Sequence, residues 1–284
     1  MLVGASRARH KVGGAILRNL VAARPPFRVH AVNPLLGNLP GVHWATSVAE
    51  VPEPCDLAIV AVPAVQVPSV IGAISENGVK VAVVVSAGLS KANGLMDEAL
   101  QAARAARLRI IGPNCLGLLV PPAAVDASFA ASGALPGKLA FLSQSGALTA
   151  AVLDWARERE IGFSAVVSVG DMADVGLDEL VRLLGADDHT TAILIYLEGL
   201  TDARPFLAAV EELDGRKPVI VLKAGRSRAA ALAAKSHTGA LAGAYDVYQA
   251  AFRQRGIVLV GGLEELFDAA AVLSQCSAPR GDKL

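Results

Sequence analysis

The chain has 284 residues, 26 basic and 26 acidic side chains, and a hydrophobic fraction of 53% with only 4% aromatics. This length accommodates two domains of ordinary size, and the zero net charge does not favour nucleic acid or a membrane surface as a partner. No apolar run approaches the roughly 18 residues that span a bilayer, and the first ten residues lack a signal-peptide core. The three cysteines have neither metal-ligand spacing nor an even count. We therefore expect a soluble cytoplasmic protein without a metal site of its own.

Short runs rich in Val and Ile alternate with longer Ala-, Leu- and Arg-rich stretches. In the first half, the short run MLV is followed by four runs that predict buried parallel strands: RVHAVNP, DLAIVAVP, VAVVVSAG and RIIGPN. Residues 120–138 contain three prolines and no periodicity, which indicates a linker. A second series of strand-like runs follows: KLAFLSQ, SAVVSVG, TAILIYLEG, PVIVLKAG and GIVLVGG. We predict two open, doubly wound α/β domains, residues 1–122 and 138–284, joined by a linker at 123–137.

The loop after the first strand, GASRARHKVGG, lies where an open parallel sheet binds its ligands. It lacks the G-x-G-x-x-G spacing, and the second strand ends in Asn33-Pro34 instead of the acidic residue that binds the ribose of NAD. The first acidic residue is Glu50. It is preceded by six basic residues: Arg7, Arg9, Lys11, Arg18, Arg24 and Arg28. This favours a polyanion such as coenzyme A over NAD, although ordinary solvated charges explain the count equally well.

The later strand ends of the first half also carry small or polar residues. They are Val62-Pro63, Ser86-Ala87-Gly88 and Asn114-Cys115. Small side chains leave room for a long thin ligand, which Asn114 can orient by hydrogen bonds. Cys115 has no histidine near it in sequence, and a buried structural thiol is commoner than a nucleophile. We therefore interpret Cys115 as part of the wall of the site.

In the second half, the sequence FLSQSGALTAAVLDW predicts a strand, a turn at residues 143–147 and a helix. The amides and the dipole of a helix start suit an anion, although Ser145 is equally a favoured N-cap residue. Glu198 follows a later strand, where a carboxylate is either a surface residue or the orienting partner of an imidazole. His237 stands in AAKSHTGALAG, a stretch of mostly small residues. On such a loop a solvated histidine is commoner than a catalyst.

Eight motifs run in order through nearly the whole chain: GAS....KVGG, VNP, AVP, IGPNCLG, LSQSGAL, YLEG, VLKAGRS and SHTGALAG. As a set they resemble the alpha part of the nucleoside-diphosphate-forming acyl-CoA synthetases, the superfamily of succinyl-CoA synthetase. The closest resemblance is to the ADP-forming acetate–CoA ligase type. It implies an N-terminal Rossmann-like CoA-binding domain and a C-terminal flavodoxin-like domain with a phosphohistidine loop.

The resemblance also implies the roles of individual residues. His237 would be phosphorylated transiently and stabilised by Glu198, while Ser145, Gly146 and Ala147 would hold the phosphoryl group at the helix start. The CoA site would be formed by residues at the strand ends of the first domain. These are Gly4, Ala5, Ser6, Lys11, Asn33, Pro34, Val62, Pro63, Ser86, Ala87, Gly88, Asn114 and Cys115.

The implied reaction begins when phosphate attacks an acyl-CoA thioester and releases an acyl phosphate and CoA. His237 then attacks the acyl phosphate, and the phosphohistidine donates to ADP, or the steps run in reverse from ATP. The sequence contains no P-loop and leaves no room for an ATP-grasp domain. We therefore expect ATP or ADP with Mg to bind a partner, either an ATP-grasp beta subunit or C-terminal domains of the same enzyme.

Beyond that partner, we expect CoA and a small carboxylic acid as substrates, and an oligomeric assembly. One departure from the family pattern is Asp171, where such proteins usually have asparagine; the added negative charge would weaken anion binding nearby.

Another function also stays open: related long proteins fuse this domain pair to a protein lysine acetyltransferase, where it senses CoA or acyl-CoA. The retained His237 favours the ligase. A dinucleotide-dependent oxidoreductase is disfavoured by the missing acidic residue, and no motif determines the acyl group.

Overall fold

The structure, a computed structural model, describes residues 1–35, 37–226 and 245–275. The strands within these ranges are β1 Leu2–Val3, β2 Val29–Val32, β3 Val42–Ala45, β4 Leu57–Val60, β5 Val81–Val84, β6 Arg109–Ile111, β7 Gly117–Val120, β8 Val125–Ser128, β9 Leu135–Ser143, β10 Gly162–Ser168, β11 Ala192–Leu197, β12 Val219–Lys223 and β13 Val258–Val260. The helices are α1 Val12–Ala22, α2 Val67–Glu76, α3 Leu95–Ala105, α4 Gly146–Glu158, α5 Leu177–Ala186, α6 Arg204–Glu212, α7 Tyr245–Gln254 and α8 Leu263–Gln275.

The first sheet is parallel and has the strand order β3-β2-β1-β4-β5-β6. Alternate residues of each strand enter different cores, because successive side chains of a strand point to opposite faces. Ile59 packs in the core that contains the buried side of α1, whereas Val60 packs with α2 and α3. Burial on both faces explains why these strands are continuous apolar runs instead of alternating ones.

The second sheet has the order β13-β12-β11-β9-β10-β7-β8. Strands β9 to β13 are parallel, β7 is antiparallel to β10, and β8 is antiparallel to β7. The helices α4 and α8 pack on one face around Phe141 and Phe163, and α5, α6 and α7 pack on the other. The predicted fold class, two doubly wound α/β domains, is confirmed.

The prediction of a linker at residues 123–137 is wrong. β8 and the start of β9 lie in this stretch, and Pro121 and Pro122 form the short 3-10 turn between β7 and β8. The hairpin extends the second sheet beyond β10, so that sheet begins at Gly117, within the stretch assigned to the first domain. The prolines mark a turn of this hairpin, where a missing N–H does not interrupt the strand pairing.

Two further contacts join the halves of the chain. The amide of Asn19, on α1, donates to the backbone oxygens of Ser128 and Ala130, both at 2.9 Å. On the other side, the Arg109 guanidinium at the start of β6 binds Asp174 at 3.0 Å and Glu179 at 2.8 Å. Asp174 also accepts the backbone N–H of Ile110 at 2.8 Å. The first sheet is thereby held against the turn that precedes α5.

Within the described part of the chain, no helix combines the length and the apolarity that crossing a membrane requires.

The Asp174 contacts generate a stability prediction. Asp174→Ala removes the acceptor of both the Ile110 N–H and the Arg109 guanidinium, so we expect the free energy of unfolding to fall by about 2 kcal/mol. Asp178→Ala is the matched control, because Asp178 has similar exposure but pairs with Arg182 one turn away on α5. Surface pairs of that kind contribute about 0–1 kcal/mol. Urea unfolding measures both values, and equal losses would contradict the role assigned to Asp174.

Candidate active site

The first part of the site lies at the carboxyl end of the first sheet, where β1 and β4 are neighbours and the strand order reverses. Open α/β sheets bind ligands at this switch point. A cavity of about 470 Å³ opens there. The predicted CoA residues that line it are Gly4, Ser6, Lys11, Asn33, Pro34, Val62 and Pro63.

Close backbone packing shapes this cavity. Gly4 has a φ of +88°, and a Cβ there would collide with the Ala61 carbonyl. A Cβ on Gly13 would likewise collide with the carbonyl of Gly4. The Asn33 amide donates to the Ala5 oxygen at 2.6 Å and so braces the first loop from the end of β2. Ala5 itself is fully buried and does not line the cavity, so its place in the CoA site stays a prediction.

The basic residues counted in the sequence do not all reach the site. Arg28 pairs with Glu53 at 2.7 Å before the starts of β2 and β4, at the opposite edge of the sheet, and its guanidinium lowers the pKa of Glu53. Arg18 donates to the backbone oxygens of Gly14 and Arg9. The exposed cations of the first loop are Arg7, Arg9 and Lys11. No acidic side chain is among the described residues that line the cavity.

A second cavity, of about 770 Å³, adjoins the first, and Val12, Ala61 and Val62 line both. It brings the predicted residues of the two domains together. From the first domain it is lined by Ser86, Ala87, Asn114 and Cys115, and from the second by Ser145, Gly146 and Ala147. Gly88 lines neither cavity, and its contact with CoA stays a prediction.

The first-domain side of this second cavity is closely hydrogen-bonded. The Ser86 hydroxyl donates to the Val62 oxygen at 2.6 Å, and the Asn114 N–H donates to the Ser86 oxygen at 3.0 Å. The Asn114 side-chain amide donates to Asp171 at 3.2 Å, which leaves its carbonyl oxygen and its second amide hydrogen to serve a ligand. Burial raises the pKa of the Cys115 thiol to about 12. Cys115 lines the cavity wall, and its thiol donates to the Val84 oxygen at 3.4 Å.

On the second-domain side, α4 starts at the switch point of its sheet, where β9 lies beside β11. Ser145 caps the helix: its hydroxyl accepts the Leu148 N–H at 3.3 Å. The amides of Gly146 and Ala147 follow the cap and face no earlier carbonyl of their own helix, as at every helix start. Capping and anion binding are thus compatible here, because they use different groups.

None of the described residues gives Gly146 a steric reason to be glycine. A Cβ there would meet Leu116 at 3.6 Å, an ordinary van der Waals contact. This differs from Gly4 and Gly13, where the chain itself excludes a side chain. The absent side chain at Gly146 instead leaves the start of α4 open to the cavity.

Glu198 follows β11 and is held by residues that the sequence analysis did not assign to the site. The Gln144 side chain accepts the N–H groups of Glu198 at 2.6 Å and Gly199 at 3.1 Å, and donates to the Gly199 oxygen at 2.9 Å. The buried Lys223 ammonium donates to the backbone oxygen of Glu198 at 2.9 Å and lies 4.9 Å from the Tyr248 ring centre. Burial lowers the pKa of Lys223. Gln144 lies in the motif LSQSGAL, and Lys223 lies in the motif VLKAGRS. These two motifs were the sequence signal that could have assigned both residues to the site.

The Glu198 turn and the start of α4 are thus tied through Gln144, although Glu198 lines neither cavity. The predicted phosphohistidine, His237, lies outside the described residues. The described chain reaches residue 226, three residues after β12 ends at Lys223, and resumes at Tyr245. β12 pairs with β11 in parallel, so both strands end at the same edge of the sheet.

Comparison with known families divides the chain into two parts that follow the two sheets, except that β7 falls within the first match and β8 within neither. The family model described as "CoA binding domain" matches residues 1–121, and that described as "Succinyl-CoA ligase like flavodoxin domain" matches residues 136–273. These matches define a protein with a CoA-binding domain followed by a succinyl-CoA-ligase-type flavodoxin-like domain. The chain belongs to the nucleoside-diphosphate-forming acyl-CoA synthetase family, of which it carries the alpha part.

Individual relatives agree with this assignment. The chain is 42% identical to the ADP-forming acetate–CoA ligase I of Archaeoglobus fulgidus, over 96% of this chain and 40% of that protein. It is 40% identical to the alpha subunit of ADP-forming acetate–CoA ligase I of Pyrococcus furiosus, over 100% of this chain and 63% of that one. The solved acetyl-coenzyme A synthetase 1 of Ca. Korarchaeum cryptofilum, in complex with phosphate and ADP, superimposes with a TM-score of 0.92 at 39% identity. That match covers 98% of this chain and 61% of that one. The chain thus spans 40% of the length of the first of these relatives and 63% of the length of the second.

The open start of α4 generates a second prediction. Gly146→Ala introduces no strain, so we expect the free energy of unfolding to stay constant or rise by up to about 1 kcal/mol. The methyl group would occupy cavity space beside the amides, so the affinity for inorganic phosphate should fall at least about fivefold. Gly72→Ala, in α2, is the control, because a Cβ there meets nothing within 4 Å. Calorimetric titration with phosphate at low salt compares them, and equal phosphate affinity of both variants would refute an anion site at α4.

Proposed function

We propose that this chain is the alpha subunit, or the N-terminal part, of a nucleoside-diphosphate-forming acyl-CoA ligase. The enzyme interconverts acyl-CoA, phosphate and ADP with the free acid, CoA and ATP through a phosphohistidine. The observation that carries this proposal is the 770 Å³ cavity, which places the strand ends of the CoA-binding domain opposite the start of α4. The relatives reported above are ligases and synthetases by name. None of these findings supports the acetyltransferase-regulator alternative.

In this proposal CoA lies across the carboxyl end of the first sheet. The 470 Å³ cavity holds its phosphate-bearing part near the cations Arg7, Arg9 and Lys11, and the start of α1 adds the dipole of a helix that has no acidic residue in its first turn. The thiol end then extends past Val62 into the second cavity, since Val62 lines both. Ser86 and Asn114 would position the pantetheine chain there.

The chemistry would take place between the two domains. Phosphate bound at the Gly146 and Ala147 amides attacks the thioester carbon, CoA leaves as the thiolate, and an acyl phosphate forms. His237 then attacks the phosphorus, and the carboxylate of the acid leaves. The amides stabilise the charge of the transferring phosphoryl group. Glu198, whose turn is fixed by Gln144 and Lys223, would accept a hydrogen bond from one imidazole N–H and so leave the other nitrogen free to attack. The same carboxylate would stabilise the positive charge that the ring acquires on phosphorylation.

The phosphohistidine must then reach ADP. We propose that the nucleotide, with Mg, binds an ATP-grasp beta subunit or C-terminal domains of the same enzyme, in an oligomeric assembly in the cytoplasm. The part of the relatives that this chain does not span accommodates such a domain. The Asp171 carboxylate, which accepts from Asn114, adds negative charge close to the anion site. We expect it to weaken phosphate binding without abolishing it.

CoA specificity provides the third prediction. Calorimetry on the full chain should show that CoA binds more tightly than NAD and than CoA lacking its 3'-phosphate, with affinity that decreases as salt rises. Lys11→Ala should weaken CoA binding about tenfold, or about 1.4 kcal/mol. Arg28→Ala is the matched control, because Arg28 lies at the opposite edge of the sheet and pairs with Glu53. The assignment of this cavity to CoA would be contradicted if NAD bound as tightly as CoA or more tightly. It would also be contradicted if Lys11→Ala and Arg28→Ala changed the CoA affinity equally.

The phosphoryl route provides the fourth prediction and the test of the proposed function. With labelled ATP and the ATP-grasp partner, the chain should acquire acid-labile, alkali-stable phosphate, and without the partner it should form no acyl-CoA from ATP, acid and CoA. His237→Ala should abolish labelling and leave CoA affinity unchanged, while Glu198→Gln should reduce the rate of labelling. His189→Ala is the control, because His189 is an exposed histidine that pairs with Asp187 after α5. Labelling that survives His237→Ala, or acyl-CoA synthesis by the chain alone, would falsify the proposal.

A further inference from the structure

The Glu198 turn, residues 198–200 directly after β11, is held by two side chains besides the amide side chain that follows β9. The Lys223 ammonium, at the end of β12, donates to the backbone oxygen of Glu198 at 2.9 Å. The Tyr248 hydroxyl, on α7, accepts the N–H of Leu200 at 3.1 Å. Each residue of the turn therefore has a backbone group that is bound by a side chain from another element.

Lys223 and Tyr248 also contact each other. The ammonium lies 4.9 Å from the centre of the Tyr248 ring, within the range of a cation–π interaction, and donates a second hydrogen bond to the Ala224 oxygen at 2.6 Å. The Tyr248 ring packs edge-on against Phe252, one turn further along α7. Both Lys223 and Tyr248 are buried. The Glu198 turn, the end of β12 and the first part of α7 thus form one connected unit.

The places of these two residues in the chain relate this unit to the proposed phosphoryl acceptor. Lys223 precedes residues 227–244, which include His237 and lie outside the described part of the chain, and Tyr248 follows them. The described residues on both sides of His237 in the sequence therefore converge on the turn that carries Glu198. Glu198 has to accept an imidazole N–H in the proposed mechanism, so its position relative to these two flanks matters for the transfer.

Lys223 acts on Glu198 through its charge as well as through its hydrogen bond. Burial lowers the pKa of Lys223, and the Glu198 carboxylate offsets part of that effect. The interaction is mutual, so the ammonium favours the ionised carboxylate, which is the form that accepts a hydrogen bond. Among the described residues, Tyr196 also faces this carboxylate. Burial raises the pKa of Tyr196 and the Glu198 charge raises it further, so the phenol is neutral at neutral pH and adds no charge.

We propose that Lys223 and Tyr248 are positioning residues for the phosphorylation of His237: Tyr248 fixes the Glu198 turn, and Lys223 fixes the turn and places a positive charge beside the carboxylate. This rests on the proposed function. It deepens that function by adding two residues that act through Glu198. Neither of them lines the two cavities assigned to CoA and phosphate.

The test is the rate at which the full chain acquires acid-labile, alkali-stable phosphate from labelled acetyl phosphate, a donor that needs no nucleotide. In this step the bond from the His237 nitrogen to phosphorus forms, the bond from phosphorus to the acyl oxygen breaks, and acetate leaves with the electron pair. Tyr248→Phe should slow labelling about fivefold, because one hydrogen bond to the turn is lost. Tyr245→Phe is the matched control and should leave the rate unchanged, because Tyr245 lies on the same helix and has no hydrogen bond to a described residue.

Lys223→Met should slow labelling at least about tenfold, because the position of the turn and the charge beside Glu198 are lost together. Lys217→Met is its matched control. Lys217 lies just before β12, at the opposite edge of the sheet, and also donates to two backbone oxygens, those of Leu184 and Asp187. The two variants should lose similar amounts of stability, so a merely structural effect would slow labelling in both.

The pH profile of labelling separates charge from position. Removing a cation raises the pKa of a neighbouring carboxyl group or imidazole, so the decline in rate at acid pH should begin at least about half a pH unit higher in Lys223→Met. Tyr248→Phe keeps the cation. It should lower the rate at every pH and leave the shape of the profile unchanged.

The outcomes separate the two proposals. No labelling of the unmodified chain, or labelling that survives His237→Ala, would overturn the proposed function and this inference together. With normal labelling of the unmodified chain, equal rates for Lys223→Met and Lys217→Met, or an acid limb that does not move, would overturn the inference alone. Loss of CoA affinity in Lys223→Met or Tyr248→Phe would do the same, since it would show a general effect on the fold. If thermal unfolding shows that Lys223→Met does not fold, the comparison of Tyr248→Phe with Tyr245→Phe decides, and equal rates there would overturn the inference.

Discussion

The antiparallel pairing of β7 with β10 is the interaction on which the site depends. The chain leaves the carboxyl end of β6 in the first sheet and, after five intervening residues, enters β7 at Gly117. β7 pairs with β10 in the register Leu119 with Val166 and Leu118 with Val167. Because the pair is antiparallel, the start of β7 lies beside the carboxyl end of β10. The Leu116 N–H donates to the Ser168 hydroxyl at this point. The ligand-binding edges of the two sheets therefore face each other, and a cavity forms between their switch points.

Small residues and backbone groups, more than charged side chains, shape the cavity in which we propose that a thioester and a phosphate bind. Gly4 and Gly13 let α1 approach the ends of β1 and β4, and Gly146 leaves the start of α4 open. Ion pairs in the described residues lie elsewhere: Arg28 with Glu53 at the far edge of the first sheet, and Arg109 with Asp174 at the junction of the domains. Amide groups of a helix start are fixed by the backbone and need no reorganisation when charge develops on a phosphoryl group.

Gln144 connects the parts that the proposed chemistry requires to act together. Its side chain joins the cap of α4 to the turn after β11, so that the candidate anion site and Glu198 keep a constant relation. Lys223 secures the same turn from β12, the strand that precedes the segment with His237. An ammonium that is buried against two carbonyl oxygens and an aromatic ring serves this structural purpose without being solvated. The geometry that would present Glu198 to an imidazole is thus built from neighbouring strand ends.

The sequence alone determined the fold class, the order of the long strands and most of the candidate site. Val- and Ile-rich runs buried on both faces are recognisable without knowledge of their neighbours, and strand ends such as Val62-Pro63 and Ser145–Ala147 follow directly from them. The tertiary structure decided the rest. β7 and β8 are four residues each, and their turn carries two prolines, so they become strands only because β10 offers a partner distant in sequence. For the same reason Phe129 reaches the cavity and Arg28 does not, since position relative to a sheet edge is set by long-range pairing, which no local pattern encodes.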